Sequence, residues 1–147
     1  MRAVVTRVSS ASVEIDGVVA GKIDKGFLVL LGIKSGDTED DAARLASKVC
    51  NLRVFADSEG KMNLDLETAG GSLLVISQFT LYADCKSRRP GFTAAARPET
   101  AIPLYEFFID NCKNAGFTVE TGEFGAMMNV SSVNAGPVTI LLDTESM

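Results

Sequence analysis

Histidine is absent from the 147 residues, and that absence removes more chemistry than any single residue adds. Without imidazole there is no Ser-His or Cys-His nucleophile pair, no histidine metal ligand, and none of the side chain that most often moves protons near pH 7. Loops of the GxxxxGK[ST] type are also missing, as is a GxGxxG turn after a strand, which excludes the common nucleotide folds. No apolar run approaches the roughly 20 residues that a membrane helix needs. The opening residues break their apolar character at Thr6 and Arg7, too early for a secretory signal. Cys50, Cys85 and Cys112 are odd in number and far apart, without CxxC spacing, so a reduced cytoplasmic protein is expected. A net charge of −5 argues against nucleic-acid binding through a broad basic surface.

What is present suits an ordinary globular chain: 46% hydrophobic and 22% charged residues, one domain spanning 1–147, and no repeat or linker. Residues 2–16 read as a long strand or a bent pair of strands, and Asp16-Gly17 as a hairpin turn to a return strand at 18–23. Residues 26–33 form a continuous apolar strand suited to a sheet centre. Thr38 caps a first helix whose Ala42, Leu45, Ala46 and Val49 share a face. A strand is expected at 52–56 and a turn at 57–60, while 61–64 fits no single assignment. Pro98 opens a second helix running to Ala115, with Leu104, Phe107, Phe108 and Cys112 on a stripe, Gly116 as its stop and Pro103 in its first turn. Strands are expected at 118–121, 127–133 and 138–143, with a turn at 134–139 in which Pro137 opens the last strand and a cis bond before it would be unusual. The pattern is an α/β layered domain.

Residues 73–84 stand apart. Four aliphatic residues lead into Ser77, Gln78 and Thr80 around Phe79, so a buried strand meets something polar; alternation puts Gln78 and Thr80 on one face and Ser77 and Phe79 on the other. Thr80 as a nucleophile needs an activating base, and Asp84 is the nearest in sequence. Main-chain N–H groups near Phe79 and Thr80 offer a second chemistry, holding an oxyanion without any titrating group. Asp37, Asp40 and Asp41 are explained by an acidic first helical turn rather than by a metal. The single basic island is Lys86, Arg88, Arg89 and Arg97, free of Asp and Glu from Cys85 to Pro98.

Two motifs, Ser77-Gln78-Phe79-Thr80-Leu81 and Gly136-Pro137-Val138-Thr139 after Val133-Asn134, resemble those of the D-aminoacyl-tRNA deacylases, also called D-tyrosyl-tRNA deacylases. The likeness extends through 2–8, 51–53, 60–63, Arg89-Pro90, Phe92-Thr93 and 121–126. It implies a three-layer β/β/α single domain with mixed sheets and two main helices, a cytoplasmic homodimer without cofactor, metal or membrane, and hydrolysis of the ester of D-aminoacyl-tRNA and of glycyl-tRNA. It implies that Ser77, Gln78, Phe79 and Thr80 form the catalytic wall. A cis Gly136-Pro137 peptide, inserted from the partner subunit, would exclude L-side chains, with Arg7, Asn134, Val138 and Thr139 in support. Lys86, Arg88 and Arg89 become candidates for tRNA phosphate contacts. Thr80 keeps two roles, nucleophile or bystander while the substrate's 2′-hydroxyl assists. The alternative function is a non-catalytic tRNA-binding dimer of the same fold. Two departures are Ala135, where Asp is common, and a basic loop one residue short.

Overall fold

In the computed structural model, which describes residues 1–147, the sheet is organised around β1 (Arg2–Ile15), whose two edges are both in use. Its Val and Thr residues suit a pleated surface buried on one side at a time. One edge pairs antiparallel with β8 (Asn129–Asp143), from Arg2 opposite Asp143 to Glu14 opposite Asn129. The other edge is shared between β3 (Gly26–Gly32) along its first half and β2 (Val18–Ile23) along its second. From β3 the sheet continues in parallel to β6 (Ser72–Ser77) and then to β7 (Val119–Thr121). β2 curls over to meet β7: a Cβ on Gly21 would lie 2.7 Å from the Thr121 carbonyl oxygen, so glycine is what allows the sheet nearly to close.

Two cores follow from this curl. α1 (Glu39–Cys50) and α3 (Pro98–Asn114) cover one face, where Phe27, Val29, Leu31, Leu73 and Val75 meet Leu45, Val49, Leu104 and Phe108. Alternate residues of the same strands, Leu28, Leu74 and Ile76, point into a smaller core with Val8, Ala11, Val13 and Ile23. Both faces of β3 and β6 are buried, as continuous apolar strands require, and each such aliphatic side chain contributes about 1.5–3 kcal/mol. Helices, central sheet and curled sheet make three layers, β/β/α. The α1 start is a reciprocal cap: Asp41 N donates to Thr38 Oγ1 at 3.3 Å and Thr38 N to Asp41 Oδ2 at 2.9 Å. Met1 is buried, its ammonium donating to Asp37 at 3.0 Å and to Thr144 Oγ1 at 2.8 Å. No helix is long and apolar enough to cross a membrane.

Several elements differ from expectation. The strand at 52–56 shrinks to β4 (Phe55–Ala56), whose backbone finds a partner only over the short β5 (Met62–Leu64), while the exposed Arg53 side chain donates to Asn63. A single-turn helix, α2 (Leu66–Ala69), capped by Asp65 and ended by Gly70 at φ +70°, was not expected. Pro103 lies inside α3 rather than in its first turn; it is exposed, so the hydrogen bond it cannot donate leaves a carbonyl facing water. The strands at 127–133 and 138–143 are one strand, β8, because β1 pairs with both flanks. Thr6 faces Thr139 and Val8 faces Asn134, so residues 135–138 loop out opposite Arg7. The Gly136–Pro137 peptide is cis.

Candidate active site

β6 does not run through to Asp84. Its last ladder bond is Gln78 N to Leu31 O at 2.8 Å, after which Phe79–Tyr82 coil into a 3-10 turn closed by Leu81 N to Gln78 O at 3.2 Å. The alternation expected for Gln78 and Thr80 therefore fails. Packing imposes the turn: a Cβ on Gly32 would lie 2.9 Å from Leu81 Cβ and 3.0 Å from Gln78 O, so the coil nests on β3 where only glycine leaves room. Within this turn the Phe79 and Thr80 amides donate to no group of the chain, as the first amides of a helix do.

Phe79 lines a cleft of about 300 Å³ at the carboxyl ends of β3 and β6, where open α/β sheets bind ligands, and Thr80 follows it in the turn. Ser77, Gln78 and Phe79 form one wall; Phe124, Ala126 and Met128 belong to another. No lining side chain is ionisable. The Phe79 ring is 56% exposed and meets Phe92 edge to face at 5.1 Å, which fixes an apolar lip. Thr80 Oγ1 accepts from Gln78 Nε2, a contact that supplies no base. Asp84, the base considered from sequence, accepts instead from the Lys86 amide at 3.0 Å.

The Gly136-Pro137 turn is laced from both sides. Asn134 Oδ1 accepts from Val138 N at 2.9 Å, and Asn134 Nδ2 donates to Thr139 Oγ1 at 3.0 Å. Arg7 Nε donates to Ala135 O at 2.9 Å and Arg7 Nη1 to Val54 O at 2.5 Å. Ala135, which stands where Asp is common and has no polar side chain to brace the turn, contributes its carbonyl. Gly136 has φ +129°, and a Cβ there would lie 2.6 Å from Arg7 Nη2. Within one chain this turn and the cleft stay apart: none of Arg7 and residues 134–139 lines the cleft.

Lys86, Arg88 and Arg89 are exposed on a loop whose base is the antiparallel pair Asp84 and Gly91. Lys86 Nζ is 4.0 Å from Asp84, and neither Arg88 nor Arg89 has an ion-pair partner. Cys50 and Cys112 are buried in the helix-side core and Cys85 is exposed, all three as free thiols. No three Asp, Glu, Cys or His side chains converge as metal ligands. Burial pushes the Tyr105 phenol up to about 12, and it donates to Val75 O at 2.9 Å, bracing β6 from behind. Sequence reasoning missed the apolar wall at 124–130, whose signal was only the close glycines Gly122 and Gly125, and missed the Val54 carbonyl, which carries no signal.

A family model described as D-Tyr-tRNA(Tyr) deacylase matches residues 4–143. Among similar curated proteins, the D-aminoacyl-tRNA deacylase of Thermus aquaticus is 57% identical, with 98% of this chain and 95% of that protein covered. The D-aminoacyl-tRNA deacylase of Clostridioides difficile (strain 630) is 56% identical, covering 98% and 97%. A solved structure titled c-Myc DNA Unwinding Element Binding Protein superposes with a TM-score of 0.92 at 37% identity, over 97% of this chain and 98% of that one. A probable eukaryotic D-amino acid tRNA deacylase shares the fold, with a TM-score of 0.81 at 16% identity over 96% and 97%.

Proposed function

The chain belongs to the D-Tyr-tRNA(Tyr) deacylase family, and from that premise we propose that it hydrolyses the ester of D-aminoacyl-tRNA in the cleft where β6 ends. The observation that carries the reading is a cleft without an ionisable side chain, lined by Phe79, whose amide, like that of the adjoining Thr80, has no backbone partner. An aminoacyl ester needs little else: the amides of Phe79 and Thr80 hold the carbonyl oxygen as it becomes an oxyanion, and the apolar walls take the terminal adenosine. Water adds to the carbonyl carbon, the bond to the ribose 3′-oxygen breaks, and the neighbouring 2′-hydroxyl, carried by the substrate, relays the proton that the leaving oxygen takes up. Thr80 is a bystander in this scheme.

Selectivity comes from rejection. The Gly136-Pro137 turn of a partner subunit faces the cleft and fills the volume that an L-Cβ needs, so D-aminoacyl groups enter. Glycine, lacking Cβ, passes and is hydrolysed as well. The 1–147 span acts as one domain in a cytoplasmic homodimer, and Lys86, Arg88 and Arg89 meet acceptor-stem phosphates. A second reading, a tRNA-binding dimer without turnover, is favoured by the solved relative whose title names DNA binding. Incubating the protein with matched D-, L- and glycyl-tRNA separates the two. Release from D and glycyl esters with the L ester intact is expected. Retention of tRNA with no release above the buffer rate overturns the deacylase reading.

A further inference from the structure

Arg7 has no carboxylate partner; its guanidinium is held by two main-chain carbonyls, Ala135 O at 2.9 Å and Val54 O at 2.5 Å. The planar fork fixes the directions of its N–H bonds, so moving one carbonyl swings the whole group. Val54 O is thus the far anchor of the contact that sets the Gly136-Pro137 turn. That anchor is held in turn. Arg53 Nε donates to Asn63 O at 2.8 Å and Arg53 Nη2 donates to Asn63 Oδ1, which ties the segment between α1 and β4 to the middle of β5, at the residue between the Phe55–Leu64 and Ala56–Met62 pairs.

We propose that Arg53 and Asn63 are positioning residues for stereoselectivity, acting through the Val54 carbonyl and Arg7 on the Gly136-Pro137 turn. This rests on the deacylase reading above. Neither residue lines the cleft, so their loss leaves ester cleavage intact and loosens rejection alone. Small displacements of a positioning group are costly, on the order of a hundredfold in rate per ångström, so even a partial slip registers.

The experiment compares wild type, Asn63→Leu, Arg53→Leu and Asn63→Asp, with Arg44→Ala as a surface control, on D- and L-aminoacyl-tRNA carrying the same amino acid. Asn63→Asp retains both acceptors for Arg53 and is expected to match wild type. The two leucine variants should raise the L-to-D rate ratio by about tenfold or more at an unchanged D rate. An unchanged ratio in folded Asn63→Leu, or a D rate that falls with L rejection intact, overturns the proposal. Hydrogen exchange of the Arg7 Nε–H needs no substrate: faster exchange in Asn63→Leu than in Asn63→Asp supports the link, and equal rates overturn it. Wild type that cleaves no D ester defeats the deacylase reading instead, and the exchange result still judges the link.

Discussion

At Gly136 the backbone and its neighbours leave no room for a side chain. Its φ of +129° and the 2.6 Å between an added Cβ and Arg7 Nη2 both forbid a side chain, and strained backbone of this kind costs of order 1–3 kcal/mol for other residues. Gly136→Ala should therefore keep D-ester cleavage and admit L esters, read as L-aminoacyl-tRNA half-life; an L half-life equal to wild type removes the turn from the filter. Thr80 is the opposite case. Its hydroxyl is occupied by Gln78 Nε2 and no lining residue titrates, so Thr80→Ala is expected to retain most D-ester turnover. Its pH–rate curve should rise with hydroxide without a protein-derived inflection near neutrality. Complete loss in a folded variant, or a bell-shaped curve, returns a side chain to the chemistry.

Among elements, α1 is the one whose sequence states its own boundary. Thr38 and Asp41 satisfy each other's amides, and removing a cap of this kind costs about 1 kcal/mol. The Asp41 carboxyl is held below its usual 3.8 chiefly by the Thr38 amide, against a desolvation that raises it, with help from the Thr38 hydroxyl and Arg44. A lowered folded pKa stabilises fully above the unfolded value and is lost as pH falls through the folded one. Asp57 and Asp65, lowered chiefly by the Lys61 and Thr68 amides, act in the same direction. Urea unfolding should show Asp41→Asn less stable than wild type at neutral pH, with the gap closing as pH falls below 3.8 and through the lowered folded value; a gap independent of pH assigns the loss to something other than charge. β3 and β6 were equally legible, since apolar runs of that length have to be buried on both faces. The coil at Phe79–Tyr82 was not, because Gly32 packing on Leu81 decides it, a contact between residues far apart in the chain. The excursion at 135–138 was hidden for a similar reason: its flanks are held by β1, at the other end of the chain. Backbone donors and acceptors such as the Phe79 amide and the Val54 carbonyl exist at every residue, so only the fold reveals which are put to use.

At the scale of the molecule, β8 is a strand of 15 residues with one edge paired to β1 and the other free. Val133 is 56% and Leu141 67% exposed along it. A long open edge with apolar side chains invites association, and the Gly136-Pro137 turn and the cleft beside Phe79 lie on separate parts of one chain. Both facts are resolved if a second copy covers β8 and brings its Gly136-Pro137 turn to the first copy's cleft. Val133→Lys should then give a monomer by sedimentation that has lost L rejection. Mixing subunits discriminates more sharply. A Gly136→Ala chain has a sound cleft and a faulty wall; an Ala126→Trp chain has a blocked cleft and a sound wall. In a mixed dimer the sound cleft faces the sound wall, so excess Ala126→Trp chain should restore L rejection to the Gly136→Ala protein while adding no activity of its own. If wall and cleft served each other within one chain, the mixture would cleave L esters as fast as Gly136→Ala alone, and the shared-site arrangement would be wrong.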